Sequence, residues 1–144
     1  MTVNSMELSE RALLRFANYQ KAVQNLNTAV NQFGDTELDI IKEGIIQRFE
    51  IAHELAWKLL SDILKHEGHT DILGSRSATR LAFNLGLLDK GDVWLAMIES
   101  RNITVHAYNP DILQHEFNKI IRQYLPLLSQ FSDKIQSLVQ TNQS

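Results

Sequence analysis

The chain has no cysteine among its 144 residues. Disulfides, thiolate zinc sites and cysteine nucleophiles are excluded on that ground. Proline occurs twice and glycine six times, so few positions interrupt a helix and long helices are favoured. No apolar run approaches the roughly 20 residues that a membrane-spanning helix needs. The stretch Met1-Thr2-Val3-Asn4-Ser5 carries neither a basic segment nor an apolar one. It does not read as a signal peptide, and the expectation is a cytoplasmic protein with no membrane partner. Charge of one sign does not dominate: the net charge is −3 and the pI about 5.9. That balance argues against a general nucleic-acid coat, which is basic as a rule. It leaves room for a local basic site, and Arg76, Arg80 and Arg101 are the candidates for one. There is no Walker-type glycine loop and no G-x-G-x-x-G, so phosphates are not cradled in either of those ways.

What is present is the pattern of a helical protein. The composition, 44% hydrophobic and 22% charged, is that of a globular chain, and the length suits a single domain over residues 1–144 with frayed ends at about 1–5 and 140–144. A first helix is expected from near Asn4-Ser5, with Glu7 completing a capping box. Its apolar stripe is Phe16, Tyr19, Val23, Leu26, Val30 and Phe33, at the alternating steps of three and four of a packed helix pair. Gly34-Asp35 ends it and Thr36 is the expected cap of the next. The second helix reaches Glu67 and stops at Gly68. Ile41, Ile45, Phe49, Ala52, Ala56, Leu59 and Ile63 form one stripe, and Ile46, Leu60 and Leu64 lie beside it. So wide an apolar face marks a central helix. Gly44 inside it costs roughly 1 kcal/mol against alanine, which a close helix crossing would explain.

A short helix capped by Ser75 carries Ala78, Leu81, Ala82 and Leu85 and closes at Gly86. Another, capped by Asp92, carries Met97 and Ile98. The last opens at Asn109-Pro110 and runs through Leu113, Phe117, Ile120, Tyr124, Phe131, Ile135 and Leu138, with a kink expected at Pro126. No stretch alternates as a strand does. The fold class is therefore all-α: an antiparallel up-and-down bundle of three long helices plus two shorter ones.

The chemistry concentrates in Arg101-Asn102-Ile103-Thr104-Val105-His106-Ala107-Tyr108. On a helix, Arg101 and Tyr108 lie on nearly one face, and Asn102 and His106 on the face beside it. A guanidinium grips phosphate through a fork of donors, and an imidazole moves a proton near neutral pH. The alternative is a surface helix end with a basic residue and a capping histidine. Elsewhere the polar residues have plain readings. Arg48, Glu50, Glu54 and Lys58 suit a solvated face, with Glu54–Lys58 a favourable i,i+4 pair and Glu50–Glu54 a like-charge one. Trp57 is a base-stacking platform or, more simply, a core or interface residue. His53-Glu54 fails as a zincin motif because position 57 is Trp, and His66-Glu67-Gly68-His69 is weak as a metal site. No metal ligands are expected.

Arg-x4-His-x-Tyr beginning with Arg-Asn resembles the signature of HEPN domains of the HepT type and of the related nucleotidyltransferase substrate-binding protein family. A second stretch agrees, Gly44-Ile45-Ile46-Gln47-Arg48-Phe49-Glu50 followed by Glu54-Leu55-Ala56-Trp57-Lys58, similar to the family's G-x-x-Q-R-F-E…E-L-A-W-K helix. The resemblance covers roughly residues 15–140. It implies a homodimer that places the motif in a cleft, and a non-catalytic subunit binding substrate or nucleotide through Arg101, Asn102, His106 and Tyr108. A small separate nucleotidyltransferase would then supply catalysis. This chain has no Gly-Ser…Asp-x-Asp run of the catalytic kind, so ATP and Mg²⁺ are expected on that partner and no cofactor on this chain. The rival implication is a metal-independent endoribonuclease toxin. In it Arg101 and His106 act on the phosphodiester, RNA is the substrate, and AMP added to Tyr108 silences the cleft. One departure stands out. Many members carry an acidic residue directly before Arg-Asn, where this chain has Ser100, with Glu99 one position earlier.

Overall fold

The computed structural model describes residues 7–104 and 109–143. Helix α1 spans Glu10–Phe33, α2 Asp39–His66, α3 Ser75–Asn84 and α4 Gly91–Thr104. Helix α5 (Pro110–Lys119), a π turn (Ile120–Tyr124) and α6 (Leu125–Gln143) run on without a break as one long rod. Three long rods and two short helices make up the described residues, and no strand occurs among them.

Helix α1 starts later than the sequence pattern indicates. Ser9 is its cap: the side chain accepts from the Ala12 amide at 3.2 Å, leaving Glu7 outside the helix. Two other caps also differ by a residue or two. Thr36 holds the Leu38 amide through its hydroxyl at 3.1 Å, and Leu38 itself precedes α2. At α3, Gly74 stands at the cap and the Ser77 hydroxyl reaches back to accept the amides of Leu73 and Gly74. Both substitutes do what a cap does, which is to give an otherwise orphaned amide an acceptor. Helix α4 likewise begins at Gly91, ahead of Asp92.

The expected stripes form the core. Phe16, Tyr19, Val23 and Leu26 of α1 are buried against Ile45, Phe49, Ala52, Ala56, Leu59 and Ile63 of α2. The α1 stripe runs out of partners at its end, where Phe33 is exposed. Helix α2 is the central rod, with α1, α3, α4 and the last rod all packed on it. Two buried phenols pin the long rod. Tyr19 donates to the Leu128 carbonyl at 2.6 Å, and Tyr124 meets the Ser100 hydroxyl at 2.6 Å.

The disturbance expected at Pro126 takes the form of the π turn just ahead of it. Leu125 donates to the Ile120 carbonyl, one residue further back than in an α-helix. Proline has no amide to continue the ladder and its ring crowds the carbonyl four residues earlier; widening the preceding turn accommodates both. Gly44 is a plain correction. A Cβ there would meet nothing within 4 Å, so no described helix crosses closely at that point. No described helix is long and apolar enough to cross a membrane.

Candidate functional site

Helices α2 and α4 and the start of α3 enclose a cleft of about 290 Å³ lined by Glu50, His53, Glu54, Trp57, Ser75, Ile98, Arg101 and Asn102. Its α2 wall follows from helical spacing: Glu50, His53/Glu54 and Trp57 recur at steps of three and four and so share one face. Arg101 and Asn102 enter from the last turn of α4. Larger hollows of about 510 and 790 Å³ lie elsewhere on the surface. Neither contains Arg101 or gathers comparable chemistry.

Arg101 is the hub. Its Nη1 donates to Glu54 Oε2 at 2.6 Å and lies 3.3 Å from His53 Nδ1. A guanidinium nitrogen only donates, so Nδ1 accepts and the imidazole proton sits on Nε2. His53 is 1% exposed, and Nε2 has no hydrogen-bond partner among the described residues. Burial, reinforced by the Arg101 charge and opposed by Glu54, brings the His53 pKa down to about 3. His53 is therefore neutral across the physiological range. Phe49 stacks on its ring with centroids 6.1 Å apart.

Glu54 is held from three sides. Besides Arg101, the Trp57 indole donates to Oε2 at 3.1 Å and Lys58 Nζ lies 3.0 Å from Oε1. Burial alone would raise its pKa; the hydrogen bonds from Arg101, Trp57 and Lys58 outweigh that and hold it at about 2. The expected Glu54–Lys58 pair is thus present, as part of a larger network. Glu50 contrasts with it. No hydrogen bond or ion pair engages Glu50 among the described residues, and desolvation raises its pKa while the more distant Arg101 charge opposes the rise.

Arg101 and Asn102 share the cleft. His106 and Tyr108, the other two motif residues, lie outside the described residues. Trp57 is half-buried at the cleft wall, with an edge tied to Glu54. Sequence reasoning missed His53 and Glu54 as site residues. The signal was available in the Glu54-Leu55-Ala56-Trp57-Lys58 stretch, whose polar members read alone as a solvated face. Ser100, the departure from the acidic pattern, faces inward: it is 2% exposed and bonded to Tyr124. The carboxylate beside Arg101 comes instead from α2. Glu99 pairs with Arg76 on the neighbouring helix, so Arg76 is tied one turn away while Ser75 beside it lines the cleft. No grouping of three or more His, Asp or Glu side chains that could hold a metal ion occurs among the described residues.

The comparisons with known proteins agree with this architecture. The family described as "nucleotidyltransferase substrate binding protein like" matches residues 14–137. A Haemophilus influenzae protein named "probable ribonuclease HepT" is 30% identical over 109 residues, covering 73% of this chain and 72% of that protein. Among solved structures, a Haemophilus influenzae protein described as revealing the fold of a substrate-binding domain of a nucleotidyltransferase superposes with a TM-score of 0.76. It is 25% identical, and the match covers 84% of this chain and 98% of that one. A Thermus thermophilus protein gives a TM-score of 0.68 at 26% identity, over 82% and 95% of the two chains. The chain belongs to the nucleotidyltransferase substrate-binding family.

Proposed function

We propose that this member of the nucleotidyltransferase substrate-binding family is the nucleotide- or substrate-holding subunit of a two-component nucleotidyltransferase. Catalysis, ATP and Mg²⁺ then belong to a small separate partner. The observation that carries the reading is the convergence of Arg101, Asn102 and Trp57 on one cleft, with Arg101 fixed by Glu54 and His53. A pre-set guanidinium offers a phosphate or a phosphorylated acceptor a defined docking point. Fixing an acceptor against a partner's active site converts an encounter into an intramolecular step. In this reading the chain acts as a homodimer in the cytoplasm, and His106 and Tyr108 take part in binding alongside Arg101.

A second reading draws on the relative named as a probable ribonuclease. Here Arg101 stabilises charge on a phosphodiester while His106 transfers the proton, with the second proton-transfer partner coming from the other protomer. Tyr108 would be the residue on which an added AMP closes the cleft.

Expression of the chain alone, compared with an Arg101→Ala/His106→Ala variant, separates the two. The readouts are growth in cells and RNA fragmentation by purified, metal-free protein. The subunit reading expects no growth arrest and no cleavage from the folded protein. Arrest and cleavage that vanish in the variant would replace it with the ribonuclease.

A further inference from the structure

Glu50 is the carboxylate in the cleft that no hydrogen bond or ion pair engages among the described residues. Arg101, Glu54 and Lys58 compensate one another through direct contacts, whereas Glu50, half-buried on the same wall, has no hydrogen bond or ion pair among the described residues and feels Arg101 only through its charge. Seven positions along α2 from it stands Trp57, about two turns away on the same face. Its ring is half-buried and its Nε1 is bonded to Glu54. His53 lines the same cleft and carries a buried Nε2 with no acceptor among the described residues. A ligand that completes this wall must be flat, to lie on an indole, and must present hydrogen-bond donors to a carboxylate.

A simple cation does not fit, because Arg101 faces the same cleft and would repel it. A neutral heterocycle attached to an anion fits both halves: donors toward Glu50, negative charge toward Arg101. That is the charge pattern of a nucleotide. Among the four bases, guanine presents two adjacent donors, N1–H and the N2 amino group, on its Watson–Crick edge. Two carboxylate oxygens accept both. Adenine presents an acceptor at N1 flanked by one amino group, cytosine one amino group beside an acceptor, and uracil one N–H between two carbonyls. Each of these places a lone pair against the carboxylate. Stacking on Trp57 tolerates any base, so the choice among bases falls to Glu50.

We infer that the cleft is a guanine-reading site in which Glu50 accepts from the Watson–Crick edge of the base, Trp57 supports its face, and Arg101 meets the attached phosphate. The inference rests on the nucleotide-binding reading above and adds the identity of the base and of the residue that selects it. The guanine belongs either to a free guanosine nucleotide or to single-stranded RNA. Desolvation raises the Glu50 pKa more than the Arg101 charge lowers it, in keeping with a carboxylate that no hydrogen bond engages among the described residues.

The test titrates the full chain with GMP, AMP and the RNA pentamers UUGUU and UUAUU, following tryptophan fluorescence and heat. Trp57 lines the cleft whereas Trp94 is 1% exposed and outside it, so quenching by direct contact with a ligand falls on Trp57, and the heat of binding is read beside it. Wild type prefers the guanine member of at least one pair by about tenfold or more, as expected for a bidentate base contact. Preference confined to the pentamers identifies RNA as the source of the base; preference already present in GMP identifies the free nucleotide. Glu50→Gln, which replaces two acceptors by one acceptor and one donor, loses the preference or turns it toward adenine. Glu50→Ala loses it without gaining adenine. Binding that is lost in Arg101→Ala but is indifferent to the base, or a guanine preference unchanged in both Glu50 variants, overturns the base assignment and leaves the nucleotide reading in place. No binding of any of the four ligands overturns both.

Discussion

Arg101 and Glu54, 47 positions apart in the chain, meet with Nη1 2.6 Å from Oε2. The contact joins the two sequence stretches through which the chain resembles its family, and it makes them one site. Glu54 is a positioning residue in this arrangement: it fixes the guanidinium, and Trp57 and Lys58 fix Glu54. Glu54→Ala is expected to weaken nucleotide binding about tenfold, the loss of roughly one charge-assisted hydrogen bond's worth of orientation. Glu54→Gln, still able to accept from Arg101, falls between wild type and alanine. In a Glu54→Ala/Arg101→Ala double variant the losses do not add, because both substitutions remove one interaction. Titration calorimetry on the four proteins checks this.

His53 gives the fold a pH dependence with a definite sign. In the unfolded chain a histidine takes up its proton near pH 6.5, whereas in the folded chain His53 does so only at about 3. Between those values the unfolded state binds more protons, so stability falls as pH drops from 6.5 toward 3, at up to about 1.4 kcal/mol per pH unit. Glu54, held at about 2, acts in the same direction but only below the ordinary glutamate range. His53→Leu should therefore flatten the stability profile between pH 6.5 and 4.5 while leaving the steeper acid limb. Urea unfolding at half-unit pH steps measures it.

Ser100 is a structural residue, and substitutions should behave accordingly. Ser100→Ala removes the buried bond to Tyr124 and is expected to cost about 1 kcal/mol. Ser100→Asp restores the family's acidic character but puts a carboxylate at a site 2% exposed, beside a phenol already desolvated. It should cost more than 2 kcal/mol. Thermal unfolding of both variants tests the order.

Gly44→Ala is expected to stabilise the chain by about 0.5–1 kcal/mol. The glycine lies within α2, a Cβ there meets nothing within 4 Å, and alanine lowers the backbone entropy lost on folding. Denaturant midpoints at unchanged slope measure the gain.

The helices and their buried faces were legible because burial imposes a period of three and four on apolar residues, and every residue picked for the last rod's stripe is in the core. The helix starts were less so. Several polar side chains near a boundary can each accept an amide; Ser9 caps α1, Asn4-Ser5 lying outside the described residues, and local geometry chose Ser77 over Ser75. The π turn had a visible cause in Pro126 but no visible form, since kink and widened turn both answer the same lost hydrogen bond. In the site, Arg101 and Asn102 stood out by motif. Glu54 and His53 did not, because a carboxylate on a polar helix face is ordinarily solvated and only the packing of α4 on α2 brings Arg101 to it.

The measurement closest to the central claim is nucleotide binding by the full chain and by Arg101→Ala, followed by titration calorimetry in metal-free buffer. Saturable binding to wild type that weakens tenfold or more in Arg101→Ala, with the variant folded, is the predicted result. No binding to wild type, or equal binding to both proteins, would contradict a nucleotide site built on Arg101.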